Sequence, residues 1–164
     1  MSNGDQTAND ITAEQVNTLL KFVENNHKRK KSVKSHKGDK GECWALPYKA
    51  LAAAGADKPC NSCGDEALYI WGRRVGVKSL APGDIIQIEG AAKLTNKDET
   101  RTLQFPHEHH TMIVISVESP GADGPVVKVG HQWSGITVRY DTVRLGSKTG
   151  EGVLYYYRPQ STKK

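Results

Sequence analysis

The spacing of apolar residues changes along this chain, from a helical period near the start to alternation beyond residue 80. Val16, Leu19, Leu20 and Val23 recur at three- and four-residue intervals, so the spacing predicts an amphipathic helix over residues 11–26. Thr12 followed by Gln15 is a capping-box start, and Ile11 and Val16 stand where a hydrophobic staple would place them. A second helix is expected through A-L-P-Y-K-A-L-A-A-A, because alanine and leucine favour helix and Gly55 suits its C-terminal cap. Pro47 lacks an N–H and fits only a first turn, which puts the helix start close to Cys43. Trp44, Tyr48 and Leu51 would then share an inward face.

From Leu80-Ala81-Pro82-Gly83-Asp84, a turn that opens a strand, the pattern becomes one of short apolar and β-branched runs. Ile85–Ile88, Thr111–Val117, Val126–Val129, Ile136–Tyr140 and Val153–Tyr157 read as strands, and the charged stretch Lys93–Thr102 as a loop between them. Their connections are short and carry no helical period, so the sheet should be antiparallel. The expected fold is α+β: an N-terminal helix, then a Cys-bearing helix packed on an antiparallel sheet of about four to six strands. Residues 1–10 and 160–164 are expected to be disordered, 27–40 to form a basic linker and 41–159 to form the domain. The first forty residues should add little to the core.

Charge sharpens the linker. The chain carries 23 Lys and Arg against 18 Asp and Glu, a formal +5, and the excess sits in Lys28, Arg29, Lys30, Lys31, Lys34, Lys37 and Lys40. Such a run suits an acidic partner or is simply a solvated connection. With no aromatic residue within it to stack on bases, it argues against nucleic acid. Met1 is followed by polar residues, with no apolar run suited to a signal peptide or membrane span. Together with an odd count of 3 cysteines, that points to the cytoplasm and free thiols.

Cys43 stands where a helix begins, a place that lowers a thiol's pKa and favours the nucleophilic thiolate. His110 directly precedes a strand that would hold its ring rigidly, as a general base requires. His131 ends the following strand, and in an antiparallel pair that end lies beside the start of its neighbour. His131 can therefore reach His110 and orient it, a role that the side-chain oxygen of Gln132 could also fill. Cys60-x-x-Cys63 is half of a zinc site, and His107-x-His109 could present two imidazoles on one side. No carboxylate recurs at ligand spacing beyond Glu108, so no metal is assigned and no cofactor is called for.

The motifs G-E-C-W, L-A-P-G-D-I-I-Q-I-E, H-H-T-M-I-V-I-S-V and H-Q-W-S-G, in that order, resemble the papain-like cysteine peptidase and amidase fold. The CHAP amidases and NlpC-type cell-wall peptidases share the L-x-P-G-D opener and a histidine before a small-apolar strand. The cysteine-proteinase-fold domain of fungal cortical actin-patch proteins is more similar still. The likeness spans about residues 41–159. It implies Cys43 as nucleophile, His110 as base, His131 or Gln132 as the orienting group, and the Cys43 backbone N–H as an oxyanion donor. Trp44, His109 and Trp133 would line the substrate cleft. Trp133 departs from the asparagine common in relatives, Pro47 sits within the nucleophile helix, and the cell-wall enzymes are exported. Two readings follow: a thiol hydrolase of a peptide or other amide substrate, or a catalytically silent interaction module on the same fold.

Overall fold

The structure, a computed structural model, describes residues 8–35, 40–59, 69–120 and 124–162. Its first helix, α1 (Ala13–Lys28), begins as expected: the Thr12 hydroxyl accepts from the Gln15 N–H, and the Gln15 side chain accepts from the Thr12 N–H. The second, α2 (Ala45–Ala54), carries Pro47 in its first turn and ends on Gly55 at φ 68°, a left-handed cap that favours glycine. A 3-10 turn spans Val77–Ser79. No helix among the described residues is long and apolar enough to cross a membrane.

The strands are β1 (Asn9–Asp10), β2 (Arg73–Arg74), β3 (Ile85–Glu89), β4 (Ala92–Asn96), β5 (Thr102–Phe105), β6 (His109–Ser119), β7 (Val126–Trp133), β8 (Ile136–Thr149), β9 (Val153–Arg158) and β10 (Gln160–Ser161). Eight of them form one sheet in the order β2-β9-β3-β6-β7-β8-β4-β5, and every described pairing is antiparallel. The α+β class is as expected, but the sheet exceeds the expected four to six strands. The charged stretch taken for a loop contributes most of a hairpin, β4–β5, whose Ala92, Leu94 and Phe105 are buried while Lys93 and Gln104 face solvent. Asn9–Asp10 and Gln160–Ser161, expected to be disordered, pair with each other.

Alternation along the central strands divides the core into two faces. Ile85 and Ile113 face α1 and α2, where they meet Leu19, Val23, Val33, Leu46, Ala50, Leu51 and Trp71. Ile86, Ile88, Met112, Val114, Val127, Val129, Val143 and Leu145 pack on the opposite face, with Leu94 and Phe105 of the hairpin. With both faces covered, β3 reads as a nearly continuous apolar run. Leu19, Val23 and Val33 are buried, so the first forty residues contribute to the core after all. The basic stretch is tied to the domain at Lys31 and Val33: the Val138 N–H donates to the Lys31 carbonyl, and Val33 is fixed by Gln132.

The motif L-A-P-G-D builds the entry to β3. Gly83, at φ 91°, donates its N–H to the Val114 carbonyl, and a Cβ there would press on Val16 of α1. Asp84 accepts from the Ala81 N–H and forms a two-oxygen ion pair with Arg158 of β9.

Candidate active site

A cleft of about 460 Å³ opens where β6 begins, β7 ends and α2 starts. It brings together Cys43, Trp44, His107, His109, His110 and Trp133, all singled out from sequence. Glu42, Tyr69, Glu108 and Ser134 complete its walls. Tyr69 stacks on His109 with ring centres 4.1 Å apart, and His109 pairs through Nδ1 with Glu89 of the neighbouring strand.

His110 is 2% exposed and His131 fully buried, and their rings meet: His110 Nε2 lies 2.8 Å from His131 Nδ1. The pleat decides which member of the His131–Gln132 pair can do this. His131 shares the face of Val127, Val129, Met112 and Val114, as His110 does, whereas Gln132 points to the helix side. There Gln132 Oε1 accepts from the Val33 N–H at 2.8 Å, and its Nε2 donates to the carbonyls of Val33 at 2.7 Å and Glu42 at 2.9 Å. Its amide is committed to those three backbone groups.

Behind the histidines lies a residue that sequence reasoning missed. His131 Nε2 is 2.7 Å from Asp141 Oδ2, and Asp141 is itself held by Arg101 at 2.7 Å and by Arg139 at 3.0 Å. Its signal in the sequence is positional: on β8, Asp141 occupies the inward register of Val143 and Leu145, where a carboxylate must find partners. Burial pushes its carboxyl up, but the hydrogen bond from His131 and the charge and hydrogen bond of Arg139 outweigh it and keep it below the ordinary range.

Burial drives both imidazoles towards their neutral forms. For His110 the neighbouring His131 and His107 act in the same direction, and its pKa falls well below the usual value. For His131 desolvation prevails over the hydrogen bond and charge of Asp141, which pull the other way. Phe105, with its ring 4.8 Å from that of His110, and Trp133, 5.2 Å from His131, form apolar walls around the pair.

Cys43 is 8% exposed. Its thiol donates to the His109 carbonyl at 3.7 Å, and burial pushes its pKa up to about 11 against the opposing hydrogen bonds from Thr111. The resting cleft therefore holds a protonated thiol and a neutral imidazole chain, not a thiolate–imidazolium pair.

Of the candidate metal ligands, Cys60 and Cys63 lie outside the described residues, and His107 sits exposed on the cleft wall. Among the described residues, no group of three or more histidines, cysteines or carboxylates is placed to hold a metal ion. A family model described as the AIM3/BBC1 cysteine proteinase-fold domain matches residues 11–163. No curated protein and no solved structure matches the chain significantly.

Proposed function

The chain belongs to the AIM3/BBC1 cysteine proteinase-fold family, and from that premise we propose that it is a thiol hydrolase of amide bonds, with Cys43 as nucleophile and His110 as base. The observation that carries this reading is the His110–His131 contact of 2.8 Å in a cleft shared with Cys43. A buried imidazole held by a second, anchored imidazole is what a general base needs and what a merely structural histidine does not. Because the resting thiol is protonated, the proton moves as the carbonyl is attacked. The S–H bond breaks, His110 takes the proton, and the sulfur bonds to the carbonyl carbon. The Cys43 N–H, just ahead of α2, would stabilise the oxyanion. His110 then returns the proton to the departing amine, leaving a thioester. Water, deprotonated by His110, hydrolyses that thioester and restores the thiol. The substrate class is a peptide or another amide.

A second reading, the silent interaction module, is favoured by one observation: the thiol donates to the His109 carbonyl and its pKa is raised. In that reading the basic run Lys28–Lys40 recruits an acidic partner and the cleft has lost its chemistry.

Alkylation of Cys43 by iodoacetamide across pH separates the two. For a hydrolase, the rate rises through an inflection below neutrality, set by His110, and His110→Ala removes it. If the rate follows only an ionisation near about 11 and ignores His110→Ala, the hydrolase reading fails and the module reading stands.

A further inference from the structure

Asp141 anchors a chain of hydrogen bonds whose direction is fixed by chemistry. An ionised carboxylate only accepts, so His131 must carry its proton on Nε2 to donate to Asp141 Oδ2 at 2.7 Å. A neutral His131 then has a lone pair only at Nδ1. His110, 2.8 Å away, must therefore be the donor, with its own proton on Nε2. That leaves Nδ1 as the one basic nitrogen of His110, on a ring that lines the cleft with Cys43. Arg101 Nη2 holds the other carboxylate oxygen at 2.7 Å, and Arg139 spans both oxygens, Nη2 at 3.3 Å from Oδ1 and Nε at 3.0 Å from Oδ2. Water has little part in this choice, since both imidazoles are buried between Phe105 and Trp133.

We propose that Asp141 is a positioning residue that sets the tautomers of both His131 and His110, held in place by Arg101 and Arg139, and so keeps His110 Nδ1 free to accept a proton. The consequence for chemistry rests on the reading of Cys43 and His110 as a reacting pair; the control of the two rings does not. Asp141→Asn makes the idea concrete. Both guanidinium hydrogen bonds, from Arg101 Nη2 and Arg139 Nη2, fall on Oδ1, so that position keeps the carboxamide oxygen and the NH₂ turns towards His131. His131 Nε2 must then accept, its proton moves to Nδ1 and is donated to His110 Nε2, and the His110 proton moves to Nδ1. One substitution, two rings removed from the thiol, blocks the nitrogen that would take the thiol's proton.

Long-range ¹H–¹⁵N spectra of the ¹⁵N-labelled full chain read the tautomers directly, without turnover. The wild type should show Nε2–H on both His110 and His131, Asp141→Asn should show Nδ1–H on both, and Asp141→Glu should restore the wild-type pattern. Iodoacetamide alkylation of Cys43 at neutral pH should fall at least about 100-fold in Asp141→Asn, a conservative expectation against the ~10⁴-fold loss that the same tautomer error causes in a serine-protease triad. Wild-type rings with the proton on Nδ1, or rings unchanged by Asp141→Asn, overturn the proposal. Should Asp141→Asn fail to fold, the wild-type spectrum alone still decides the tautomers. A tautomer exchange with no change in alkylation would uphold the role of Asp141 and remove the reading of Cys43 and His110 as a reacting pair.

Discussion

Gln132 and Cys43 are joined through one peptide group. The Gln132 Nε2 donates at 2.9 Å to the carbonyl of Glu42, and the amide on the other side of that planar unit is the Cys43 N–H. The same side chain closes two hydrogen bonds with the backbone of Val33. It therefore ties the end of the N-terminal segment to the peptide plane that precedes the nucleophile.

Gln132→Leu removes all three bonds and takes the partner from the buried Val33 N–H and carbonyl, while the Glu42 carbonyl keeps the Ala45 N–H. Each stranded group costs about 1–3 kcal/mol, so urea denaturation should show a loss of at least about 2 kcal/mol. Gln132→Glu keeps an acceptor for the Val33 N–H but sets a buried carboxylate oxygen against the carbonyls of Val33 and Glu42, and at neutral pH should lose at least as much as the leucine variant. Equal stability of all three proteins would mean that Gln132 does not fasten this segment.

The N-terminal helix should prove inseparable from the domain. Gly130 of β7 lies under α1, and a Cβ there would come within 2.8 Å of Val23 Cγ1. Gly130→Ala should destabilise the protein by about 1–3 kcal/mol through overpacking. Val23→Ala, which by itself opens a cavity, should recover part of that loss when combined with it, because the two changes share one space. Additive effects in the double-mutant cycle would place α1 elsewhere.

Much of this was legible in the sequence, for reasons that differ by residue. The capping box of α1, the position of Pro47 and the Gly55 cap depend on local chemistry, and local chemistry is what short spacings report. The meeting of His110 and His131 followed from antiparallel pairing. The choice between His131 and Gln132 needed the register, because adjacent residues of a strand look to opposite faces and only the pairing shows which face holds His110. The β4–β5 hairpin was hidden by its charges: Lys93, Lys97 and Asp98 obscure the inward alternation of Ala92, Leu94, Leu103 and Phe105. Asp141 was missed because its partners come from elsewhere in the fold, Arg101 from the β4–β5 connection and His131 from β7. The stripe on α1 showed a buried face without showing that Val33 and Gln132 would bring the basic stretch back to the core.

Asp84 marks how the L-x-P-G-D motif serves the fold. Its carboxylate is 2% exposed, bonds the Ala81 N–H at 2.9 Å and pairs with Arg158 across to β9. Asp84→Ala should cost about 3 kcal/mol, since it removes the carboxylate partner of a partly buried guanidinium, leaving it the Ser79 carbonyl, and the acceptor of a turn N–H. The thiol chemistry of the folded protein at neutral pH should stay as it was. A matching loss of Cys43 alkylation in protein shown to be folded would instead tie this turn to the cleft.

The buried histidines make stability depend on pH with a definite sign. His110 and His131 are both held neutral by desolvation, with folded pKa values below the usual imidazole value. In the unfolded chain they take up protons once the pH drops below about 6.5. Between there and their folded values the unfolded state binds more protons, so acid favours unfolding, by up to about 1.4 kcal/mol per pH unit for each ring. Asp141 acts in the same direction at lower pH: its folded pKa is depressed, so the stability it contributes is lost as its carboxylate protonates. Urea midpoints should therefore fall from pH 7.5 to 5.5, and His110→Phe, which removes one titrating ring while keeping an aromatic against Phe105, should roughly halve the slope. A midpoint that holds steady over that interval would mean that the pair is hydrated or already charged in the folded protein, and the neutral proton chain from Asp141 to His110 would go with it.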